Sequence, residues 1–363
     1  MTVTFAEKLA RMPNYQAGVP DGKAPEAVVS EGIAQLASNE SPYPPHPDVV
    51  EAIGRAASAA NRYPDPAATL LRRRIADRHE TEPARIAVGN GSCELLLAAA
   101  EALCEPGAEI LFAWPSFSIY SHLAALSGAR EVRVPLAAGD VHDLDAMLAE
   151  VTAATQLLLV CNPNNPTGTY LSAERVAEFC ERVPGHVTVV LDEAYVDFQV
   201  HDDPDTTIEL LERFANLVIL RTFSKCHGLA GLRVGYAICS PAFRAAVDAV
   251  RQPFSVNAIA QAAAAEAVLH QDDVAQRVER TIVERAVVEE ELRALELQTP
   301  DSQTNFSWVA LGDRDEAAIV EAIASEGILV RAGGPLGGPG HIRVTYATRP
   351  ENERFLQALR GFL

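Results

Sequence analysis

Apolar positions along this chain follow two alternating patterns. Short, nearly unbroken apolar runs at residues 85–88, 109–113, 131–134, 156–161, 187–191, 217–220 and 232–238 have the length and β-branched content of strands buried on both faces. Between several of them, over about 95–103, 116–127, 143–150 and 172–182, the apolar residues recur at helical spacing. Strands alternating with helices predict an α/β unit: a mostly parallel central sheet flanked by helices. Residues 261–295 then read as nearly continuous helix, alanine-rich at first and charged later. This helix leads into a smaller α+β unit built from 302–311, a helix from Glu316, 328–331 and 341–346. The Gly/Pro run at 333–340 reads as a flexible loop between two strands.

Upstream of the strands, residues 1–35 read as an arm broken by Pro13, Pro20 and Pro25. A proline-dense stretch follows at 36–47, then a helix from Asp48, placed as its cap, to about residue 60. A rigid loop at 61–66 precedes an arginine-rich helix at 67–79. The expected division is therefore an arm at 1–35 packing with the smaller unit, a large unit at 36–270 and the smaller unit at 271–363.

Composition narrows the class. A chain of 363 residues is too long for one small core. Its formal net charge of -19 argues against a nucleic-acid surface and against docking on anionic lipid. No run approaches the ~18 apolar residues of a membrane span, and residues 1–14 lack the apolar core of a signal peptide. The six cysteines have no CxxC or metal-ligand spacing, which fits buried thiols in a reducing cytoplasm. Cys226, next to Lys225, is the one whose reactivity could differ. Neither GxSxG nor GxxxxGK[ST] occurs.

Lysine is scarce: of 30 basic residues only Lys8, Lys23 and Lys225 are lysines. Arginine serves wherever charge alone is needed, so a lysine at the end of an apolar strand points to chemistry a guanidinium cannot perform. An amine loses its proton and attacks a carbonyl; arginine stays charged. In open α/β sheets the loops at the carboxyl ends of the strands collect the ligand groups. Here those loops hold Gly89-Asn-Gly-Ser92-Cys93 entering a helix, the stiff Asn162-Pro-Asn-Asn165-Pro-Thr-Gly168, Asp192-Glu-Ala-Tyr195, and Thr222-Phe-Ser224-Lys225 with Arg233 beyond. The glycines either merely turn the chain or let a helix start approach an anion. Together these groups meet the needs of pyridoxal phosphate: an amine for the aldehyde, a carboxylate for the ring nitrogen, donors for the phenolic oxygen, and hydroxyl, backbone N–H and arginine groups for the phosphate.

The segments LASNESPY, NRYPDP, GNGSCE, CNPNNPTG, LDEAY, RTFSKCHGLAGLRVGY and HIRVTYAT, spread over residues 36–348, resemble the fold-type I aminotransferases of class I/II. Within that family they resemble the histidinol-phosphate aminotransferase branch. FAWPSFSIY, SQTNFSW and ALGDR are similar to the aromatic (phenylalanine) aminotransferases of the same branch. The resemblance implies a pyridoxal phosphate enzyme in which Lys225 bonds to the aldehyde and shuttles a proton, and Asp192 pairs with the ring nitrogen. It implies Tyr195 and Asn165 on the phenolic oxygen, Phe117 stacked on the ring, and Ser92, Cys93, Ser224 and Arg233 on the phosphate. Phe117 stands where the family often has tyrosine and so lacks a hydroxyl. Arg343 falls where a substrate carboxylate or phosphate is held, with Arg331, Tyr15 and Asn165 on the same substrate. Tyr63 corresponds to a tyrosine that reaches the neighbouring subunit's phosphate, which implies a homodimer. The expected reaction moves an amino group between histidinol phosphate and 2-oxoglutarate, with an aromatic amino acid as the alternative donor. On this reading Trp114, Phe117 and Phe254 would favour a ring, and the arginines a phosphate. An amino-acid phosphate decarboxylase and a non-catalytic cofactor-binding module are the more distant readings.

Overall fold

The computed structural model describes residues 3–13 and 32–363. A first short strand, β1 (Ala34–Gln35), precedes the seven strands of the central sheet. These are β2 (Ile86–Gly89), β3 (Glu109–Trp114), β4 (Arg130–Pro135), β5 (Thr155–Cys161), β6 (Thr188–Asp192), β7 (Leu217–Thr222) and β8 (Gly235–Ile238). Across the sheet they lie in the order β2-β8-β7-β6-β5-β3-β4. Strand β8 is antiparallel to both neighbours, and every other pairing is parallel.

The unbroken apolar runs follow from this burial. Successive strand residues face opposite sides, so Leu158 and Val160 enter one core layer while Leu157 and Leu159 enter the other. The same parity separates Val189 and Leu191 from Val190, and Leu217 and Ile219 from Val218 and Leu220. A sheet covered on both faces needs apolar side chains at both parities.

The C-terminal unit contains β9 (Phe306–Ala310), β10 (Ile328–Leu329), β11 (Arg331–Ala332) and β12 (His341–Thr345). Strands β11-β12-β9 form an antiparallel sheet, while β1 pairs in parallel with β10, Ala34 opposite Ile328. A third apolar cluster gathers Ala34, Leu36, Val288, Leu292, Val309, Val344 and Phe355. The chain just after the arm is thus stitched to this unit. Leu36 N donates to Leu329 O at 2.8 Å, and Leu36 O accepts from Thr345 N at 2.9 Å. The turn at Glu7–Arg11 lies elsewhere, with Lys8 Nζ donating to Leu126 O at 3.1 Å at the end of helix Ile119–Ser127.

Four local expectations change. The cap of helix Pro47–Ala57 is His46, whose Nδ1 accepts from Asp48 N at 3.2 Å; Pro47, lacking an N–H, occupies the first turn. The long helix is two, Ala258–Ala267 and Gln271–Ala294, separated at residues 268–270. Apolar periodicity runs on through this break, but the first helix packs its alanines into the large core and the second sends Val288 and Leu292 into the small one. Strand β8 begins at Gly235 rather than 232, because Arg233 takes a left-handed conformation (φ 55°) after a 3-10 turn at Ala230–Leu232. The 333–340 loop is pinned rather than free: the Glu316 carboxylate accepts from Gly334 N at 2.9 Å and from Gly340 N at 2.7 Å. Gly337 (φ +92°) also lies so close to the Trp114 ring that an added Cβ would stand 2.6 Å from it. Among the described residues, no helix is long and apolar enough to cross a membrane.

Candidate active site

A cavity of about 390 Å³ opens at the carboxyl ends of the parallel strands, between the large sheet and the C-terminal unit. Its base is set by register: Cys161, Asp192 and Leu220 lie side by side across β5, β6 and β7. The loops leaving those strands, and the helix start after β2, line its walls. Of the residues singled out in the sequence, Ser92, Cys93, Phe117, Asn165, Asp192, Tyr195, Ser224, Lys225, Arg233, Arg331 and Arg343 all border this cavity.

Close backbone approach shapes the end beside Ser92. Helix Ser92–Leu103 starts after Gly91, which has φ +74°. A Cβ on Gly91 would sit 2.5 Å from Arg233 Nη2, and one on Gly235 would sit 2.6 Å from Ser92 N. Glycine at both positions lets a guanidinium and the first amides of a helix share one corner, a favourable place for a phosphate. Arg233 Nη1 donates to Ala230 O at 3.1 Å, and Ser224 Oγ lies 3.4 Å from it.

The middle of the cavity is electrostatically unusual. Asp192 is 2% exposed. Its Oδ2 accepts from Tyr120 Oη at 3.0 Å, while Oδ1 is buried without a hydrogen-bond partner. Burial pushes the carboxyl up to about 6, against the downward pull of the tyrosine bond. Lys225 Nζ donates to Ser38 O at 3.2 Å and lies 5.5 Å from the Tyr195 ring centre. Burial, and next the Arg343 guanidinium, lower this amine to about 8 despite the opposing Glu40 carboxylate. A carboxylate without a cation and an amine that gives up its proton more readily than a free lysine therefore share one chamber. This is the pairing that carbonyl chemistry on a protonatable heterocycle calls for.

At the other end, Arg331 and Arg343 sit opposite each other on β11 and β12 and are both 7% exposed. Arg343 donates through Nη1 to Asn165 Oδ1 at 2.6 Å and through Nη2 to Ala37 O at 2.8 Å. Asn165 is held by a stiff loop in which Asn164 accepts from Ser116 Oγ at 2.8 Å and donates to Thr167 Oγ1 at 2.9 Å. Gln303 N in turn donates to Gly168 O at 2.8 Å.

Several residues fall elsewhere. Tyr63 is outside the cavity, 84% exposed and stacked on Phe254 with ring centres 4.7 Å apart. Phe254 and Trp114, expected to face a substrate ring, do not line the cavity; Trp114 packs under Gly337 and against Arg133. Tyr15 lies outside the described residues. Cys226 points away from the amine beside it: its buried Sγ is 3.2 Å from Asp197 Oδ2 and from His227 Nδ1, and burial raises its thiol far above the usual range.

Sequence reasoning also missed partners. Tyr120, the donor to Asp192, hides in a helix where an aromatic reads as core. Asn39, 1% exposed with φ 55°, donates from Nδ2 to Tyr195 Oη at 2.9 Å. An asparagine inside the proline-dense stretch was the available signal for Asn39. Leu336 reaches the cavity from the pinned glycine loop, which composition alone disguises as a linker.

Comparison with known proteins gives a consistent picture. The family model described as aminotransferase class I and II matches residues 31–359. An aromatic amino acid aminotransferase of Streptomyces coelicolor is 42% identical over 356 residues, 98% of this chain and 96% of that protein. A histidinol-phosphate aminotransferase of Geobacillus thermodenitrificans is 40% identical over 357 residues, 98% of this chain and 97% of that one. The crystal structure of histidinol-phosphate aminotransferase from Sinorhizobium meliloti in complex with pyridoxal-5'-phosphate matches with a TM-score of 0.88 at 30% identity, over 100% of this chain and 98% of that one.

Proposed function

Because the chain belongs to the class I and II aminotransferases, we propose that it moves an amino group between histidinol phosphate and 2-oxoglutarate in the cavity built around Lys225 and Asp192. It is a pyridoxal-phosphate-dependent enzyme acting on an amino donor and a 2-oxo acid. The residues present suit the cofactor, as the buried, unbonded Oδ1 of Asp192 and the close Gly91–Arg233 and Gly235–Ser92 corner indicate.

Bound pyridoxal phosphate supplies an aldehyde and an electron-withdrawing ring. Asp192 is assigned to keep the ring nitrogen protonated, and Tyr120 to fix the orientation of that carboxylate. Lys225 Nζ would hold the aldehyde and would also serve as the base that takes the proton from the donor's Cα. Tyr195, steadied by Asn39, and Asn165 are assigned to the phenolic oxygen. Ser92, Cys93, Ser224 and Arg233 are assigned to the phosphate, and Phe117 to the ring face. Family members typically form dimers; exposed Tyr63 is assigned to the neighbouring subunit's cofactor phosphate.

The donor reading rests on two arginines, Arg331 and Arg343, that are register partners on neighbouring strands and both line the cavity. A phosphate dianion matches both, and each carboxylate of 2-oxoglutarate matches one. An aromatic amino acid is the second reading, favoured by Phe117 and Leu336 among the residues lining the cavity and by the Streptomyces relative. Paired kinetics on histidinol phosphate and phenylalanine, each with 2-oxoglutarate, decide between them. The proposal expects the larger kcat/KM for histidinol phosphate; a larger value for phenylalanine would overturn it.

Loading of the cofactor carries a pH signature. With an amine near 8, the neutral fraction of Lys225 rises from about a tenth at pH 7 to about nine-tenths at pH 9. The rate at which apoprotein captures pyridoxal phosphate is therefore expected to rise roughly tenfold across that interval. Stopped-flow absorbance measures it, and a rate indifferent to pH would remove Lys225 from the role.

A further inference from the structure

Two buried charges stand next in sequence to cavity residues without lining the cavity themselves. Glu193 follows Asp192 at the end of β6, and Arg221 precedes Thr222 at the end of β7. Asp192 and Thr222 line the cavity, whereas Glu193 and Arg221 do not, as alternation along a strand requires. The Glu193 and Arg221 side chains are 0% and 7% exposed. Arg221 Nε and Nη2 lie 3.0 and 2.9 Å from one Glu193 oxygen, Oε2. Thr207 Oγ1 donates to the other oxygen at 2.5 Å, and Arg221 Nη1 donates to Asp205 Oδ1 at 2.6 Å. Asp205 in turn pairs with Arg78 at 2.8 Å.

The pair sits where the backbone stops tying β6 to β7. Their last register partners are Asp192 and Leu220, followed by one bond from Glu193 N to Leu220 O at 2.8 Å. The register partners of Arg221 and Thr222 lie on β8 instead. Side chains therefore carry the β6–β7 tie one residue past the ladder, at the point where Asp192 projects and the chain turns toward Lys225. A guanidinium–carboxylate contact fixes direction as well as distance, which an apolar contact does not. Stability alone does not call for it, since a buried ion pair is often replaced by apolar residues without loss. We propose that Glu193 and Arg221 are positioning residues whose ion pair sets the separation between the Asp192 carboxylate and the Lys225 amine. The inference rests on the proposed roles of Asp192 and Lys225. The segment joining Arg221 to the amine is itself held, with Phe223 N donating to Val234 O at 3.1 Å and Ser224 N to Thr222 Oγ1 at 3.1 Å. A shift at Arg221 is thus passed on to Lys225, and a misplacement of about 1 Å costs about 10²-fold in rate.

The double variant Glu193→Leu with Arg221→Met removes both charges of the pair, so neither is left buried without the other. Holoenzyme is mixed with excess glutamate, the amino acid formed from 2-oxoglutarate under either donor reading, and single-turnover rates are taken per bound cofactor. The saturating rate is expected to fall about 10- to 100-fold, with little change in the glutamate concentration that half-saturates it. Deuterium at the glutamate Cα should slow the variant more than wild type, because proton transfer to a misplaced amine becomes limiting. Arg221→Lys, which keeps the charge but loses the fork, should fall between the two. If the double variant fails to fold, Glu193→Gln decides, with the same signature at smaller amplitude. A wild-type rate per bound cofactor and an unchanged isotope effect in a folded variant overturn the proposal, even if its melting midpoint drops. Lys225→Ala and Asp192→Asn run alongside: wild-type turnover in those two would remove the roles themselves, and this inference with them.

Discussion

Replacing Lys225 by alanine is expected to abolish transamination by at least about four orders of magnitude while leaving the fold intact. A positioned proton carrier alone contributes about 10²–10⁴-fold, and here the same amine is also assigned to anchor the cofactor covalently. Lys225→Arg should fail almost as completely: it keeps a cation near Ser38 O and Tyr195 but cannot lose its proton. The apoprotein should respond with the opposite sign. A lysine lowered to about 8 binds its proton less readily folded than unfolded. Its cost to stability is therefore full below pH 8 and fades as pH rises through 8 toward the unfolded value near 10.5. Lys225→Ala removes that cost, so the apo variant should melt above apo wild type at pH 7, with the gap closing toward pH 10. Assays of both half-reactions and melting curves at the two pH values check this. A yellow, active Lys225→Ala protein would end the proposed chemistry.

The sequence made Lys225 conspicuous because this chain uses arginine almost everywhere else, so the retained amine stood out against its own background. Asp192 and Tyr195 were legible for a topological reason: parallel strands deliver whatever follows them to one edge of the sheet. Arg343 and Arg331 needed the resemblance, since nothing in a short polar-apolar strand says that it will face a cavity built mainly by another part of the chain. Contacts that depend on tertiary packing were not legible at all. Tyr120 bonds to a carboxylate 72 residues away, and Asn39 to a phenol 156 residues away. The break at 268–270 was invisible because both flanking helices keep helical periodicity while serving different cores. The glycine loop misled in the opposite direction: its composition reads as flexibility, yet at Gly337 and Gly338 the Trp114 and Trp308 rings leave no room for a Cβ.

Asp192→Asn is the more discriminating change, because it should move two measurements in opposite directions. The carboxyl, raised from 3.8 to about 6 by burial, takes up its proton more readily folded than unfolded. The apoprotein consequently loses stability as pH rises between those values and carries a penalty of about 3 kcal/mol above pH 6. Asparagine removes the penalty while its carbonyl still accepts from Tyr120, so apo Asp192→Asn should melt above apo wild type at pH 7.5. With pyridoxal phosphate bound the order should reverse. Wild type recovers the cost by pairing its unbonded Oδ1 with a cationic ring nitrogen, whereas the amide cannot hold that proton. Turnover should fall about 10²–10³-fold, the scale for losing one preorganised electrostatic partner, with little change in the KM for 2-oxoglutarate, which is assigned to Arg331 and Arg343. A variant that melts lower in both states would instead mean that the carboxylate mainly serves packing. A variant with wild-type turnover would mean that another group keeps the ring nitrogen charged.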